Sequence, residues 1–228
     1  MVAENLQYLR ENLANTCVRI GRDPQSVDLI AVSKTFPAER IEEALAAGLT
    51  DFGENYVQEM AEKRKQLDGR GIRWHCIGHL QSNKVKYIID WVHLIHSVDS
   101  IALAEEVQKR SLKAGKRTDV LIEVNTSREA TKFGVAPADA EELVRRVRAM
   151  PDIRVRGLMT IGPFTDDRGR SREAFRTLRT LFDGMNARTG EPMTVLSMGM
   201  THDYTVALEE GATMLRIGTA LFGPRSAA

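Results

Sequence analysis

Lys34 is the residue whose position most strongly suggests chemistry. It ends an apolar run, Leu29-Ile30-Ala31-Val32-Ser33. A lysine that leaves a buried strand is partly desolvated, which lowers its pKa and makes its amine a nucleophile able to form a Schiff base with an aldehyde. An ordinary exposed lysine at the end of a strand is the alternative, and position alone does not decide between the two.

Two later segments have the composition of a phosphate-binding site. Residues 197–201 read Ser-Met-Gly-Met-Thr and residues 216–219 read Arg-Ile-Gly-Thr. Gly199 and Gly218 would let the backbone approach an anion closely. The hydroxyl donors of the two segments are Ser197, Thr201 and Thr219. Glycine and threonine are also common in ordinary turns, so either segment alone is a weak signal.

Arg216 places a charge inside the apolar run Met214-Leu215-Arg216-Ile217. A buried guanidinium is costly unless it is paired or bound to a ligand. A structural ion pair with Glu123, on another predicted strand, is the alternative to a ligand contact. A nucleophilic lysine, two phosphate-binding segments and an inward arginine together point to a phosphorylated aldehyde, and pyridoxal 5′-phosphate (PLP) is the leading cofactor of that kind.

Eight short runs rich in β-branched residues alternate with stretches of helical period. The predicted strands are 28–33, 51–53, 73–77, 92–98, 119–124, 155–158, 194–198 and 214–217. Strands that alternate with helices predict a parallel sheet with right-handed crossovers, and eight such units predict an α/β fold closed into a (β/α)₈ barrel of the TIM type. An open doubly wound sheet is the alternative, but Ser33-Lys34-Thr35-Phe36-Pro37 stands where its glycine-rich fingerprint would be.

An extra helix precedes the first strand. Its apolar stripe is Leu6, Leu9, Leu13, Cys17 and Ile20, and Gly21 is a natural end for it. We therefore predict a single domain over residues 1–228, with the leading helix and a linker in 1–26 and the barrel in 27–223.

The carboxyl ends of the strands carry the chemistry in barrels of this type. The residues at those ends are Lys34, Glu54-Asn55, Gly78-His79, Ser97, Asn125, Met159-Thr160, Gly199-Met200-Thr201 and Gly218-Thr219. Phosphate groups often bind after the seventh and eighth strands of the barrel, where the two segments described above lie. The predicted fold thus collects these residues on one polar rim.

Composition excludes several classes of protein. The 228 residues include 32 Lys+Arg and 31 Asp+Glu, a net charge of +1, which does not suit a general nucleic-acid binder. Cys17 and Cys76 show no disulfide pattern, and the amino terminus lacks the features of a signal peptide. No apolar run approaches the ~20 residues that span a bilayer. We expect a cytoplasmic protein with no membrane segment.

A metal site is not expected. The segment Trp74-His75-Cys76-Ile77-Gly78-His79 is the strongest candidate in the sequence. Adjacent residues on a strand point to opposite faces, so His75 and Cys76 cannot easily share a metal ion. His93 and His96 lie on the fourth predicted strand with opposite parity, which predicts one exposed and one core-facing histidine.

Motifs spread over nearly the whole chain carry a family resemblance. They occupy residues 31–34, 52–59, 74–84, 97–100, 124–126, 132–135, 157–160, 197–200 and 216–219. On these motifs the chain resembles the pyridoxal phosphate homeostasis proteins, single-domain relatives of the N-terminal barrel of alanine racemase, which have PLP fold type III.

The resemblance implies a set of cofactor contacts. Lys34 would hold PLP as an internal aldimine, and Arg216 would contact the pyridine nitrogen. The implied phosphate contacts are Ser197, Gly199, Thr201, Gly218 and Thr219. The residues implied to line the cofactor are Asn55, His79 and Met159. One departure is Thr201-His202, where relatives often have serine followed by a small residue; threonine keeps the hydroxyl.

The resemblance also implies a function. A guanidinium cannot accept a proton, so the pyridine nitrogen facing Arg216 stays neutral and is a poor electron sink. Racemases of this type add a tyrosine from a C-terminal domain, which we do not expect after Phe222-Gly223. The expected role is PLP (vitamin B6) homeostasis, which affects amino-acid metabolism indirectly, with little or no catalysis and with PLP-dependent apoenzymes as candidate recipients.

Two other functions remain open, as does the oligomeric state. One is a PLP-dependent amino-acid racemase that uses Lys34 with Tyr56 or Tyr204. The other is a Schiff-base aldolase that acts on a sugar phosphate without PLP. A closed barrel has no sheet edge that requires a partner, so we expect a monomer.

Overall fold

Eight parallel strands form the inner layer of the structure. The computed structural model describes residues 1–127, 129 and 131–224. Its strands are β1 (Asp28–Val32), β2 (Asp51–Glu54), β3 (Arg73–Cys76), β4 (Leu94–Val98), β5 (Thr118–Glu123), β6 (Ile153–Met159), β7 (Val195–Ser197) and β8 (Met214–Ile217). Each strand pairs in parallel with the next in sequence, and β8 pairs back to β1. The closed TIM-type barrel that the alternation predicts is therefore confirmed.

Helices form the outer layer. They are α1 (Val2–Arg19), α2 (Ala38–Ala46), α3 (Val57–Gln66), α4 (Ile101–Ala114), α5 (Ala140–Arg148), α6 (Arg168–Asn186), α7 (Tyr204–Glu209) and α8 (Thr219–Phe222). The predicted leading helix is α1, and it packs against α2, α7 and α8 through its buried apolar stripe. Among the described residues, no helix has the length and apolar character that crossing a membrane would take.

The third crossover departs from the strand-then-helix pattern that the sequence analysis expected. A 3-10 helix, Ser82–Tyr87, connects β3 to β4 in place of an α-helix. Val85 of this helix and Ile88, which directly follows it, are both fully buried. Their spacing of three residues matches the three-residue turn of a 3-10 helix, so this tighter geometry lets both side chains face the barrel.

The barrel interior contains apolar and polar side chains together. The apolar cluster inside it consists of Ile30, Leu94, Leu121, Met159 and Met214. The polar side chains buried among the strands include His75, His96, Ser197 and Arg216. His96 is buried and His93 is exposed, as the parity of β4 predicts.

Candidate functional site

A cavity of about 930 Å³ is lined by residues at the carboxyl ends of the strands. Seven of the predicted site residues line it: Lys34, Asn55, His79, Thr201, Arg216, Gly218 and Thr219. They lie on or after β1, β2, β3, β7 and β8, so closure of the barrel brings them together. The volume is within the range of ~300–1,000 Å³ that is usual for small-molecule and cofactor sites.

The other three predicted residues, which the structure describes, are not among those that line the cavity. Met159 is fully buried in the apolar cluster inside the barrel. The Ser197 hydroxyl faces the interior, where it hydrogen-bonds Arg216. Gly199 has a φ of +96°, and an added Cβ would lie 2.6 Å from the Cβ of Ala207. In this structure Met159 packs in the interior and Ser197 hydrogen-bonds Arg216, and their contacts with the cofactor stay predictions.

Helix α3 holds both neighbours of Lys34 in the chain. The backbone N–H of Thr35 donates to Glu59 Oε1 at 2.6 Å. On the other side, Lys63 Nζ donates to the carbonyl oxygen of Ser33 at 2.7 Å. Thr35 has a φ of +69°, a left-handed conformation that is unusual for a β-branched residue. The half-buried Lys34 is thus presented to the cavity on a backbone turn that is fixed at both ends.

A buried ion pair lies behind this turn. Lys63 is only 5% exposed, and its Nζ lies 2.7 Å from both Glu54 Oε1 and Glu59 Oε1. Burial raises the pKa of Glu54, while Lys63 opposes that shift. The sequence predicts that Glu54 lies at the end of a strand, but Lys63 was not predicted to belong to the site. The available signal was the spacing of Glu59 and Lys63, which are four residues apart on one helix face.

The two predicted phosphate-binding segments meet at the cavity. Thr219 Oγ1 lies 3.3 Å from Thr201 Oγ1, which also accepts from the backbone N–H of Ala220 at 3.3 Å. The loop between β7 and α7 is closed by Asp203, whose Oδ1 accepts from the backbone N–H of Met200 at 2.6 Å. Two hydroxyls from adjacent strands therefore face one region of the cavity, which suits a phosphate group.

Arg216 contributes a buried positive charge to the cavity wall. It is 4% exposed, and burial lowers the pKa of its guanidinium to about 10. Nη1 donates to Ser197 Oγ at 2.6 Å and Nη2 donates to the carbonyl oxygen of Thr160 at 2.8 Å. These two hydrogen bonds of Arg216 are therefore made to Ser197 and Thr160. They are not made to Glu123, the ion-pair partner that the sequence offered as an alternative.

Glu123 lies in the same cavity wall and is as buried as Arg216. Burial and the neighbouring Asp99 raise the pKa of its carboxyl, Arg216 opposes them, and together they place the pKa at about 7. The cavity wall therefore contains the buried Arg216 guanidinium and a buried carboxyl whose pKa lies near neutrality.

We expect Glu123→Gln to stabilise the protein more at pH 8 than at pH 5. The pKa of the folded state is about 7 against an ordinary 4.5, so ionisation penalises the folded state increasingly as the pH rises from 4.5 to 7. The difference in the gain between pH 8 and pH 5 should be roughly 2–3 kcal/mol in the free energy of unfolding. Urea titrations at both pH values measure it, with the exposed Glu105→Gln as control. An equal gain at both pH values would contradict the burial of a neutral carboxyl.

Aromatic residues and a histidine form the rim of the cavity. The His79 ring stacks on Phe133 with centroids 3.8 Å apart, and His79 Nδ1 lies 3.6 Å from Asp99 Oδ2. Tyr56 lines the rim and is 65% exposed. Tyr204 lies at the start of α7 and is not among the residues that line the cavity. Of the two tyrosines in the racemase alternative, only Tyr56 is near the site.

A second group of polar side chains lies at the opposite, amino-terminal end of the barrel. Potential metal-ligand atoms of Asp51, His75 and His93 lie within 4.8 Å of one another. Asp51 Oδ1 already accepts from Arg73 Nε at 2.7 Å and lies 3.0 Å from His75 Nε2. Neighbours along a single strand do not reveal this grouping, which joins β2, β3 and the residue before β4.

Relatives of the chain match it over nearly its whole length. Residues 5–226 match the family model described as alanine racemase, N-terminal domain. The pyridoxal phosphate homeostasis protein of Aquifex aeolicus is 46% identical over 222 residues, which cover 97% of each chain. The protein of the same name from Escherichia coli is 38% identical over 227 residues, covering 98% of this chain and 97% of its own.

Solved structures with the same fold include both single-barrel and larger proteins. PipY of Synechococcus elongatus, solved with PLP bound, superposes with a TM-score of 0.85 at 36% identity and covers 98% of this chain and 100% of its own. Alanine racemase of Clostridium difficile superposes with a TM-score of 0.78 at 14% identity, covering 98% of this chain and 58% of its own. The second likeness shows a shared fold.

Proposed function

The chain belongs to the pyridoxal phosphate homeostasis protein family, and from this premise we propose that it binds PLP in the cavity and holds it through a Schiff base on Lys34. Its role is then in PLP homeostasis, with little or no catalysis. The observation that carries this proposal is that Lys34, Arg216 and the Thr201–Thr219 hydroxyl pair all line one cavity.

The chemistry of the cavity wall fits PLP. The lysine amine suits the aldehyde, and the two threonine hydroxyls suit the phosphate. Arg216 has five N–H donors, and its bonds to Ser197 and Thr160 engage Nη1 and Nη2. Donor capacity therefore remains on the face that lines the cavity, where a ring nitrogen can accept. PLP, when bound, supplies an aldehyde and an electron-accepting ring.

Two features of this chain support weak catalysis. A guanidinium is a very weak acid, so Arg216 can donate a hydrogen bond to the ring nitrogen without transferring its proton. The ring nitrogen then stays neutral, and a neutral ring stabilises a carbanion poorly. The tyrosine nearest the site, Tyr56, stands on the open rim, 65% exposed, where water screens and competes with it. This arrangement suits holding PLP better than moving a substrate proton.

Hydrogen exchange at the α-carbon of amino acids separates a binder from a racemase. We expect the PLP-loaded protein in D₂O to exchange the α-hydrogens of a panel of L-amino acids no faster than free PLP does. Rapid exchange that disappears in Tyr56→Phe would overturn the non-catalytic proposal in favour of the racemase. Tyr87→Phe, on the 3-10 helix between β3 and β4, is the matched control.

Thr201→Val tests the phosphate site. The substitution keeps the shape of the side chain and removes its hydroxyl, so a hydrogen bond to a charged group is lost. We expect the affinity for PLP to fall about tenfold or more, while the affinity for pyridoxal, which lacks the phosphate, changes less than twofold. Equilibrium titrations measure both, with Thr205→Val on α7 as control. Equal losses for the two ligands would place the phosphate elsewhere.

The role in homeostasis requires that PLP can leave. A Schiff base is reversible in water, and the wide rim gives a released cofactor a path to solvent. We infer that a PLP-dependent apoenzyme can accept PLP from this protein, and that the protein acts in the cytoplasm as a monomer. Mixing the loaded protein with a PLP-free aminotransferase should restore its activity, whereas loaded protein whose Schiff base has first been reduced with borohydride should not.

A further inference from the structure

A chain of hydrogen bonds runs through the barrel interior from its amino-terminal end to the cavity. Arg216 Nη1 lies 2.6 Å from Ser197 Oγ, which lies 3.1 Å from His96 Nδ1. His96 Nε2 lies 3.0 Å from His75 Nδ1, and His75 Nε2 lies 3.0 Å from Asp51 Oδ1. We call these five residues the interior chain. It links the first residue of β2 to the cavity wall at the other end of the barrel.

The two ends of the interior chain fix the direction of every hydrogen bond in it. A guanidinium only donates and a carboxylate only accepts. Ser197 accepts from Arg216, and among the hydrogen bonds of the described residues His96 Nδ1 is the acceptor within reach of its fully buried hydroxyl, so the Ser197 proton goes there. Burial and the neighbouring His75 hold the pKa of His96 well below its usual range, so this neutral ring carries its proton on Nε2. That proton goes to Nδ1 of His75, whose Nε2–H then donates to Asp51.

The carboxylate end of the interior chain is held ionised. Burial by itself would raise the pKa of Asp51, but hydrogen bonds from His75 and Arg73 outweigh it and keep the pKa below the usual range. The middle of the chain is fully enclosed, because Ser197 and His96 are completely buried. An unpaired polar group in such surroundings is costly, so reversing one hydrogen bond would disrupt the others.

We propose that Asp51, His75, His96 and Ser197 are positioning residues that orient the Arg216 guanidinium toward bound PLP. This inference rests on the proposed function. Ser197 holds Nη1 and the Thr160 carbonyl holds Nη2, so the plane of the guanidinium is set before any ligand enters. A preset donor loses little freedom when it meets the ring nitrogen, which favours tight and slow-releasing binding.

The tautomers of the two histidines test the interior chain without any cofactor. We expect nitrogen-15 NMR of the PLP-free protein near pH 7 to show His75 and His96 both neutral and both protonated on Nε2. A proton on Nδ1 of His96, or a charged His96, would overturn the direction of the chain. Because this readout needs no PLP, it stands apart from the proposed function, which fails separately if the wild-type protein does not bind PLP.

Ser197→Ala tests the effect on the cofactor. Removal of the hydroxyl leaves Arg216 Nη1 and His96 Nδ1 unpaired, so we expect PLP to dissociate about tenfold faster and the absorption maximum of bound PLP to shift. Ser97→Ala is the matched control, because Ser97 is equally buried on β4 and, among the described residues, its hydroxyl takes no part in the hydrogen bonds of the interior chain. If Ser197→Ala releases PLP as slowly as Ser97→Ala does, the proposal is overturned.

Asp51→Asn provides a second variant at the far end of the interior chain. It keeps the size of the side chain, removes the charge, and lies outside the cavity lining. We expect changed nitrogen-15 shifts at His96 and a shifted absorption maximum of bound PLP, both without loss of folding. Unchanged His96 shifts together with an unchanged spectrum of bound PLP would show that Asp51 does not act on Arg216.

Discussion

Lys34→Ala is expected to abolish the retention of PLP through dialysis. The wild-type protein should stay yellow after dialysis, because the Schiff base holds PLP covalently at the cavity. In the variant the phosphate site and Arg216 remain, so PLP should still bind reversibly and leave on dilution. Loss of the covalent bond should lower the affinity for PLP more than any other single substitution at this site. We expect the affinity of the Lys34→Ala variant for PLP to fall by at least about a hundredfold.

The control for this experiment is an alanine at an unrelated lysine. Lys113 lies in the last turn of α4 on the outer surface, and Lys113→Ala should retain PLP as the wild-type protein does. A Lys34→Ala protein that stays yellow after dialysis would mean that another amine holds the aldehyde. Lys84 also lines the cavity and would then be the first residue to examine.

Lys63→Met is expected to cause the largest loss of stability. The substitution keeps most of the apolar stem but removes the ammonium that neutralises Glu54, whose carboxyl is fully buried. Breaking a buried ion pair from one side costs about 3–5 kcal/mol. For a chain of this length that corresponds to a fall in melting temperature of roughly 6–20 °C.

The same helix provides the control for this prediction. Lys65 lies two positions further along α3 and is exposed, so Lys65→Met should change the free energy of unfolding by less than about 0.5 kcal/mol. Lys63→Met should also bind PLP more slowly, because Ser33 loses its hydrogen bond to Lys63 and Glu59, which holds Thr35, loses its ion-pair partner. Equal stability of the two variants would contradict a supporting role for the buried pair.

The barrel could be predicted from local patterns. Short β-branched runs such as 28–33 alternate with helical stripes such as that of α1, and eight repeats leave little choice of closed architecture. Lys34 could be singled out for the same reason, since a buried run leads directly to it. The resemblance to the homeostasis proteins is confirmed by relatives at 36–46% identity over nearly the full length, and it carried the cofactor's identity.

Side-chain direction was what the sequence could not provide. Ser197 was expected to bind phosphate with its neighbours in the segment 197–201. Successive residues of a strand point to opposite faces, however, and β7 turns Ser197 into the barrel interior. Met159 is buried in the interior cluster for the same reason. The motifs identified the segments, while the directions of the Ser197 and Met159 side chains follow from the strands, and their contacts with the cofactor stay predictions.

Contacts between distant parts of the chain were equally hidden. The interior chain joins Asp51, His75 and His96 to Ser197 because these residues lie on strands whose side chains meet inside the barrel. Their spacing along the sequence does not predict these contacts. The support of Lys34 by Lys63 likewise depends on how α3 packs behind β1 and β2. Such contacts depend on the three-dimensional arrangement of the closed barrel, so they can be identified only from the structure.

Peptide mapping after borohydride reduction tests the central claim most directly. Reduction of the wild-type protein loaded with PLP converts the Schiff base to a stable amine, which mass spectrometry can locate. The account predicts a single pyridoxyl-phosphate group on the peptide that contains Lys34. A group on any other lysine, or no group in a protein that does bind PLP, would contradict it.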